Sequence, residues 1–258
     1  MNLSKQVALS LKSKFKFLVI TLFFISFFNH SKESGVLPSI KLLTGLPKPP
    51  YILNDGQTGL QLDIISKAFN CNNQQAVFIN MPIGRNITRL KTSEALGIIT
   101  VAPDFKYPGL HVSHPYIVYQ NVVITLAENN TKIDSVDDLS MLSVGAFQTA
   151  KKMLGDDYAK AVGIGIEYRE IADQNKQIKM LFERSVEAIV LDLAILEYFI
   201  KLNKDDIYQQ KIKIHYIFDK RLYSAGFKSK RLKDSFERGL ACIKENGSYA
   251  STVDSYND

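Results

Sequence analysis

The most constraining feature of the sequence is the alternation of short apolar runs with amphipathic segments from residue 39 onward. The runs 39–43, 97–101 and 188–191 have the length and composition of buried strands. Segments such as 60–68 and 232–243 instead place apolar residues at helical spacing. Strands that alternate with helices form α/β structures with mostly parallel sheets. The number of these elements predicts two small sheets, each with its own core.

The N-terminus has the pattern of an export signal. Four lysines and no acidic residue occur within the first thirty positions, and the uncharged run 17–28 follows the last of these lysines. This is the layout of a secretory signal peptide, and a helix of about 18 Å is too short to span a hydrocarbon core of about 30 Å comfortably. We therefore predict a signal peptide at 1–34 and a periplasmic protein. An uncleaved membrane anchor is the alternative, because no Ala-x-Ala cleavage site is present.

The positive net charge of the chain comes largely from the predicted leader. The whole chain of 258 residues has a formal charge of +6, which invites a nucleic-acid partner. Without the four leader lysines the chain is nearly balanced, so we predict no nucleic-acid binding. Hydrophobic residues make up 46% and charged residues 22%, which is a globular composition.

The only two cysteines, Cys71 and Cys242, both lie outside the leader. An even number of cysteines in an exported protein permits one disulfide. Two free buried thiols are the alternative, and the sequence leaves the choice open.

Several short motifs occur in the order found in the family 3 extracytoplasmic solute-binding proteins of the polar amino-acid class, which the chain resembles over nearly its whole length after the leader. These motifs lie at 49–51 with 59–63, at 113–116, at 133–139 with 144–145, at 181–192 and at 243–249. The resemblance implies an α/β, two-lobed periplasmic-binding-protein type II fold, with two mixed, mostly parallel sheets joined by hinge strands. Lobe 1 would comprise 36–121 and 219–258, and lobe 2 would comprise 122–218. Cys71 and Cys242 would then share lobe 1, where they could pair.

The resemblance also implies positions that hold a ligand in the cleft between the lobes. Tyr51 matches an aromatic platform that covers the ligand side chain, and Asp192 matches the carboxylate that binds a ligand ammonium. Lys106 stands where the family has an arginine that clamps the ligand carboxylate, and a lysine lacks the planar fork of that arginine. Asp192 as a helix cap and Lys106 as a solvated loop residue are the alternatives.

Two further candidates lie at the start of a helix in lobe 2. Thr149 could hold an anionic group with its hydroxyl and the neighbouring amides. Phe147 could reach the cleft, because this chain has 146–149 as Ala-Phe-Gln-Thr where the family usually has a Gly-Thr pair. Plain capping of the helix is the alternative for Thr149.

The sequence contains no catalytic signature. His111 and His114 flank Ser113, but no strand–turn–helix elbow surrounds that serine. We predict no enzymatic activity, no metal and no cofactor. The predicted function is capture of a small polar, amino-acid-like solute by a monomer that delivers it to the inner-membrane permease of an ABC-type importer. A periplasmic sensory receptor and a cyclohexadienyl-dehydratase-like enzyme on the same fold are the alternatives.

Overall fold

The computed structural model describes residues 37–257, so the predicted signal peptide at 1–34 lies outside the described residues. The strands are β1 Ser39–Thr44, β2 Gln75–Asn80, β3 Gly97–Val101, β4 His111–Val112, β5 Ile117–Tyr119, β6 Asn121–Leu126, β7 Ser143–Phe147, β8 Glu167–Ile171, β9 Ala188–Asp192, β10 Ile212–His215 and β11 Arg221–Phe227. The α-helices are α1 Leu60–Asn70, α2 Asn86–Thr92, α3 Ala150–Leu154, α4 Asp156–Gly163, α5 Gln174–Phe182, α6 Leu193–Leu202, α7 Lys230–Glu245 and α8 Ser248–Asn257. Short 3-10 helices cover Ile83–Arg85, Ala127–Asn129, Val136–Met141 and Asp206–Gln209. Within the described range, no helix is long and apolar enough to cross a membrane.

The strands form two sheets, which confirms the predicted two-lobed α/β architecture. The first has the order β2-β1-β3-β11-β4, with β5 also paired to β11, and the second has the order β10-β6-β9-β7-β8. We call the part built on the first sheet lobe 1 and the part built on the second lobe 2. Strands β1 and β7 pair in parallel with their neighbours, as βαβ connections require. Strands β6 and β11 pair only antiparallel, because the chain enters them directly from the other lobe without a crossover helix.

The chain changes lobe twice, and one side chain joins the two connections. It passes from β5 to β6 through Gln120 and returns between β10 and β11. The Gln120 side-chain amide donates to the carbonyl of Asn121 at 2.8 Å and to the carbonyl of Phe218 at 2.9 Å. Gln120 therefore ties together the two segments about which the lobes would move.

The core follows the two-residue period of the strands. In β9 every residue is buried, but Ile189 and Leu191 join a large cluster while Ala188 and Val190 join a second one on the opposite face. A continuous apolar run such as 188–191 is expected where helices cover both faces of a sheet. The large cluster extends from lobe 1 into lobe 2, so the two lobes share part of their apolar core.

A disulfide joins two helices of lobe 1. Cys71, at the C-terminal end of α1, is bonded to Cys242 in α7, 171 residues along the chain. The two helices approach closely at Gly239, where an added Cβ would lie 1.9 Å from the carbonyl oxygen of Ala68. Only glycine fits at that crossing, so helix packing brings the two cysteines together.

Candidate functional site

The proline-rich loop after β1 places Tyr51 at the contact between the two lobes, with Lys48 beside it. The Lys48 amide donates to the Ile52 carbonyl at 2.7 Å and the Ile52 amide donates back at 3.1 Å, which closes the loop. The Tyr51 carbonyl accepts the Gln61 amide at the start of α1. Gly59 precedes that helix with a φ of 129°, and an added Cβ would lie 2.6 Å from the Tyr51 carbonyl oxygen. Gly59 is therefore needed for the loop to pack against the helix.

The Tyr51 ring is part of a buried aromatic pair. Its side chain is only 2% exposed, and its ring stacks on Tyr119 with centroids 3.8 Å apart. Tyr119 donates to the Gln61 side-chain oxygen at 3.0 Å, and the Gln61 amide donates to the Tyr116 hydroxyl at 2.6 Å. These buried hydrogen bonds hold Tyr119, which in turn fixes the plane of the Tyr51 ring.

Asp192 connects the hinge, a helix and the opposite lobe. Its Oδ1 accepts the Tyr51 hydroxyl at 2.9 Å and also the amides of Ala194 at 3.1 Å and Ile195 at 3.3 Å, which caps α6. Its Oδ2 accepts the Gln120 amide of the hinge at 2.8 Å. A carboxylate offers about four acceptor positions, two on each oxygen, so Oδ1 with its three donors is fully used while Oδ2 has a single donor. Asp192 therefore caps a helix, as the alternative reading of the sequence predicted, and it also makes a contact between the lobes.

Burial controls the ionisation of this group of side chains. Burial raises the pKa of Asp192, while the Lys48 charge and the hydrogen bond from Tyr51 act in the opposite direction. Burial and then the Asp192 charge raise the pKa of Tyr51, so its hydroxyl keeps its proton and remains a donor. Burial lowers the pKa of Lys48, against the effect of the Asp192 charge.

The Lys48 ammonium lies over aromatic rings. Its Nζ is 4.5 Å from the Tyr119 ring centroid and 5.9 Å from that of Tyr51. Among the described residues it has no ion pair with a carboxylate. Cation–π attraction stabilises such an ammonium but leaves its three N–H donors unused.

A second cation lies on the return hinge. Arg221 donates through Nη1 to the carbonyl of Met153 at 2.7 Å, which links β11 of lobe 1 to α3 of lobe 2. Its guanidinium carbon is 5.8 Å from the Tyr223 ring centroid. The Tyr223 ring in turn contacts Tyr119 edge to face, with centroids 4.8 Å apart. The two cations thus lie on neighbouring rings of one aromatic group.

A carboxylate of this chain occupies the amides at the start of α3. Glu170 accepts the Thr149 amide at 2.8 Å, the Lys151 amide at 3.0 Å and the Tyr168 hydroxyl at 3.0 Å. Burial alone would raise the pKa of Glu170, but these hydrogen bonds outweigh it and lower the pKa. Thr149 has a φ of 72°, and its hydroxyl makes no capping hydrogen bond. The predicted anion position is therefore filled by Glu170.

Replacing Glu170 by alanine is expected to lower the free energy of unfolding by about 1 kcal/mol, because the two amides lose a cap. The depressed folded-state pKa means that this contribution is present above the unfolded-state pKa of about 4.3 and is lost as the pH falls below it. Urea unfolding at pH 7 and pH 3 measures both values. Glu167→Ala is the control, because Glu167 is on the same strand and pairs only with Arg169 at the surface. Equal losses for the two variants at pH 7 would contradict the capping role.

The remaining predicted positions lie apart from the Tyr51–Asp192 contact. Lys106 is exposed in the loop between β3 and β4. Phe147 ends β7 half-buried and packs against the second core cluster of lobe 2. Among the described residues, no hydrogen bond or ion pair links these side chains or Thr149 to Tyr51 or Asp192. The structure thus joins two of the five candidate ligand-binding residues.

Sequence reasoning missed Lys48, Arg221 and Glu170. Lys48 carried a usable signal, because it is the one charged residue in the rigid run 45–50 immediately before Tyr51. Arg221 and Glu170 carried none, since each lies in a strand among other charged residues and gains its partners only through tertiary contacts.

The serine between histidines is occupied by structural contacts. Ser113 donates to the His114 carbonyl at 2.8 Å and accepts the Ala225 amide at 3.1 Å. The His114 ring nitrogen Nδ1 lies 2.9 Å from a carboxylate oxygen of Glu237. Ser113 therefore has no histidine as a proton acceptor among these contacts.

Comparison with solved structures identifies the fold. No protein-family model and no curated protein matches the sequence. An amino acid ABC transporter substrate-binding protein from Streptococcus pneumoniae, bound to L-arginine, is 16% identical; the match covers 85% of this chain and 94% of that one, with a TM-score of 0.62. An ancestral amino acid-binding protein, a precursor of cyclohexadienyl dehydratase, is 16% identical over 85% of this chain and 96% of that one, with a TM-score of 0.64.

A third match has a sensory role. It is a histidine kinase sensor domain with similarity to periplasmic binding proteins, 13% identical over 84% of this chain and 95% of that one, with a TM-score of 0.63. Identities this low establish architecture only. The chain therefore has the two-lobed α/β fold of the family 3 extracytoplasmic solute-binding proteins that its sequence resembles.

Proposed function

We propose that the protein binds a small polar, amino-acid-like solute in the cleft between its two lobes. One observation carries the proposal: the Tyr51 hydroxyl of lobe 1 donates at 2.9 Å to Asp192 of lobe 2, beside the hinge amide of Gln120. Lobes that meet through polar side chains next to a hinge can close around a solute and open to release it. Aromatic walls with a few placed charges are typical of small-molecule sites.

We further propose that the solute is delivered to the inner-membrane permease of an ABC-type importer. The proposed protein is a periplasmic monomer exported by its segment 1–34, with lobe 1 at 36–121 and 219–258 and lobe 2 at 122–218. The substrate-binding protein of an ABC transporter among the similar structures supports this role. Periplasmic delivery also agrees with a disulfide, which persists in an oxidising compartment.

Sensing is the second candidate, supported by the histidine kinase sensor domain with the same fold. Solute binding is common to both roles, so the binding assay does not separate them. Deleting the gene and measuring uptake of the bound solute separates the two roles. Uptake is lost if the protein is a component of the importer, whereas the transport machinery stays in place if the protein is a sensor. A neighbouring permease and ATPase gene would also favour transport.

An enzyme on this fold is the third candidate. Burial raises the pKa of Glu197, and the Asp192 charge raises it further, as expected for a carboxyl that can act as a general acid. The dehydratase precursor among the similar structures makes this chemistry worth testing. Incubation with prephenate-like acids is the direct assay. Release of carbon dioxide and water from these acids would show that the protein is an enzyme and does not only bind its solute.

The proposed binding function is tested by a thermal-shift screen of the purified protein against amino acids, organic acids and polyamines. A solute at a hundred times its Kd adds about 2.7 kcal/mol of stability by mass action. For a chain of this size that corresponds to a rise in melting temperature of roughly 5 to 10 °C. Absence of any concentration-dependent shift across all three classes would contradict solute binding.

A further inference from the structure

We propose that the solute is a small organic acid whose carboxylate is held by Lys48 and Arg221. This inference rests on the proposed solute binding and narrows it to one chemical class. It follows from which hydrogen-bonding groups in the cleft already have partners and which do not.

Most of the acceptor capacity of Asp192 is already used. Its Oδ1 receives three donors, from Tyr51, Ala194 and Ile195, and its Oδ2 receives the Gln120 amide. A ligand ammonium could reach Oδ1 only by displacing the Tyr51 hydroxyl, and it would have to share Oδ2 with the hinge amide. The other carboxylate whose charge acts on this group, Glu197, lies at the surface, where partial burial and the Asp192 charge raise its pKa.

The donor capacity at the cleft is open. Lys48 presents three N–H donors and contacts only ring faces among the described residues. Arg221 presents five N–H donors, of which one is bonded to the Met153 carbonyl. Both side chains are half-buried, so water can reach their free donors and an entering solute can take the place of that water. A carboxylate, which is rich in acceptors and negatively charged, matches both cations.

The two cations act on the same space. Lys48 Nζ lies 4.5 Å from the Tyr119 ring centroid, the Arg221 guanidinium carbon lies 5.8 Å from that of Tyr223, and the two rings touch with centroids 4.8 Å apart. In agreement with this geometry, burial lowers the pKa of Lys48 most and the positive charge of Arg221 lowers it further. The two charges repel each other, and an anion between them removes that repulsion. A ligand guanidinium or second ammonium would add a third positive charge and is disfavoured.

The alternative place for an anion in lobe 2 is closed. The amides of Thr149 and Lys151 are bonded to Glu170, so they offer nothing to a ligand carboxylate unless Glu170 moves away. Lys48 and Arg221 are thus the donors left for it in the described part of the cleft. The half-buried ring of Tyr223 would face the carbon skeleton of the acid, whereas the rings of Tyr51 and Tyr119 are buried against each other.

The test is calorimetric titration of the purified protein with succinate, glutarate, glutamate, glutamine and arginine, on the unmodified chain and on Lys48→Met. Methionine keeps much of the length and volume of lysine but removes the charge. We expect the two dicarboxylates to bind and Lys48→Met to weaken them by about 10- to 100-fold, the effect of a lost hydrogen bond to a charged group. Lys48→Arg should retain most of the affinity. Lys160→Met, at an exposed position on α4, is the matched control and should change nothing.

A second readout separates lost binding from a damaged fold. Because the Lys48 ammonium makes only cation–π contacts among the described residues, Lys48→Met should melt close to the unmodified chain without solute, while its affinity falls. Binding of arginine or glutamine in place of the dicarboxylates, or dicarboxylate binding unchanged in both Lys48→Met and Arg221→Gln, would overturn the inference while leaving solute binding intact. If none of the compounds binds and the wider screen also gives no shift, the inference and the proposed function fail together.

Discussion

Asp192→Ala is expected to lower the free energy of unfolding by about 4 kcal/mol, which is a large part of the stability of a typical domain. The alanine removes the cap of α6, worth about 1 kcal/mol. It also leaves the buried hinge amide of Gln120 and the Tyr51 hydroxyl without acceptors, at about 1 to 3 kcal/mol each. Urea denaturation followed by circular dichroism measures the loss. Small-angle scattering should show a larger radius of gyration, because the contact between the lobes is gone.

Asp192→Asn is the matched control for this prediction. Asparagine keeps a carbonyl oxygen that can accept from Tyr51 and cap α6, but it presents an amide donor to the Gln120 amide. We therefore expect it to retain about half of the lost stability and to keep the lobes closed. If alanine costs less than about 1 kcal/mol, or if the two variants behave alike, Asp192 does not combine the three contacts assigned to it.

Removing the disulfide is expected to lower the free energy of unfolding by an amount comparable to that of Asp192→Ala. Cys71 and Cys242 close a loop of 171 residues, and the chain-entropy relation gives about 5 kcal/mol for a loop of this length, as an upper value. The double variant Cys71→Ser/Cys242→Ser should therefore unfold at a distinctly lower urea concentration. The contacts between α1 and α7 remain, so it should still fold below that concentration.

Reductant provides the control for the disulfide prediction. Dithiothreitol should shift the urea midpoint of the unmodified protein toward that of the double variant and should leave the double variant unchanged. A midpoint in the unmodified protein that does not respond to reductant under unfolding conditions would show that the two cysteines are not bonded in the purified protein.

Much of the fold could be predicted from local sequence. The apolar run of β9 and the serine before α7 are local signals, and the structure has Ser229 accepting the Leu232 amide as expected of an N-cap. The strand β11 was not predicted, because the sequence Arg221–Phe227 mixes charged, polar and small residues and lacks the pattern of a strand. Its strand conformation is stabilised by pairing with β3, β4 and β5, which lie far away in the sequence.

The candidate site was predictable only in part. Tyr51 and Asp192 could be chosen because both stand in motifs of the family that the sequence resembles, and Asp192 also ends a recognisable strand. Their mutual hydrogen bond could not, since 141 residues separate them and the distance depends on how the lobes meet. Lys106 was chosen by its position in a motif, yet the structure leaves it exposed. Lys48 was identified as a candidate only from the structure, because the backbone hydrogen bonds that close loop 48–52 place its ammonium over the Tyr119 ring.

While its family resemblance implied the two-lobed architecture, the sequence by itself determined the alternation of strands and helices, which predicts two small sheets, and the caps and buried faces of single elements. These depend on residue spacing of two or about four, which is a local property. Only the tertiary structure decided that Asp192 accepts four donors from three segments, that Glu170 fills the amides beside Thr149, and that Lys48 and Arg221 keep free donors. Hydrogen-bond partners are selected by distances between segments far apart in the chain, and those distances exist only after the lobes have packed.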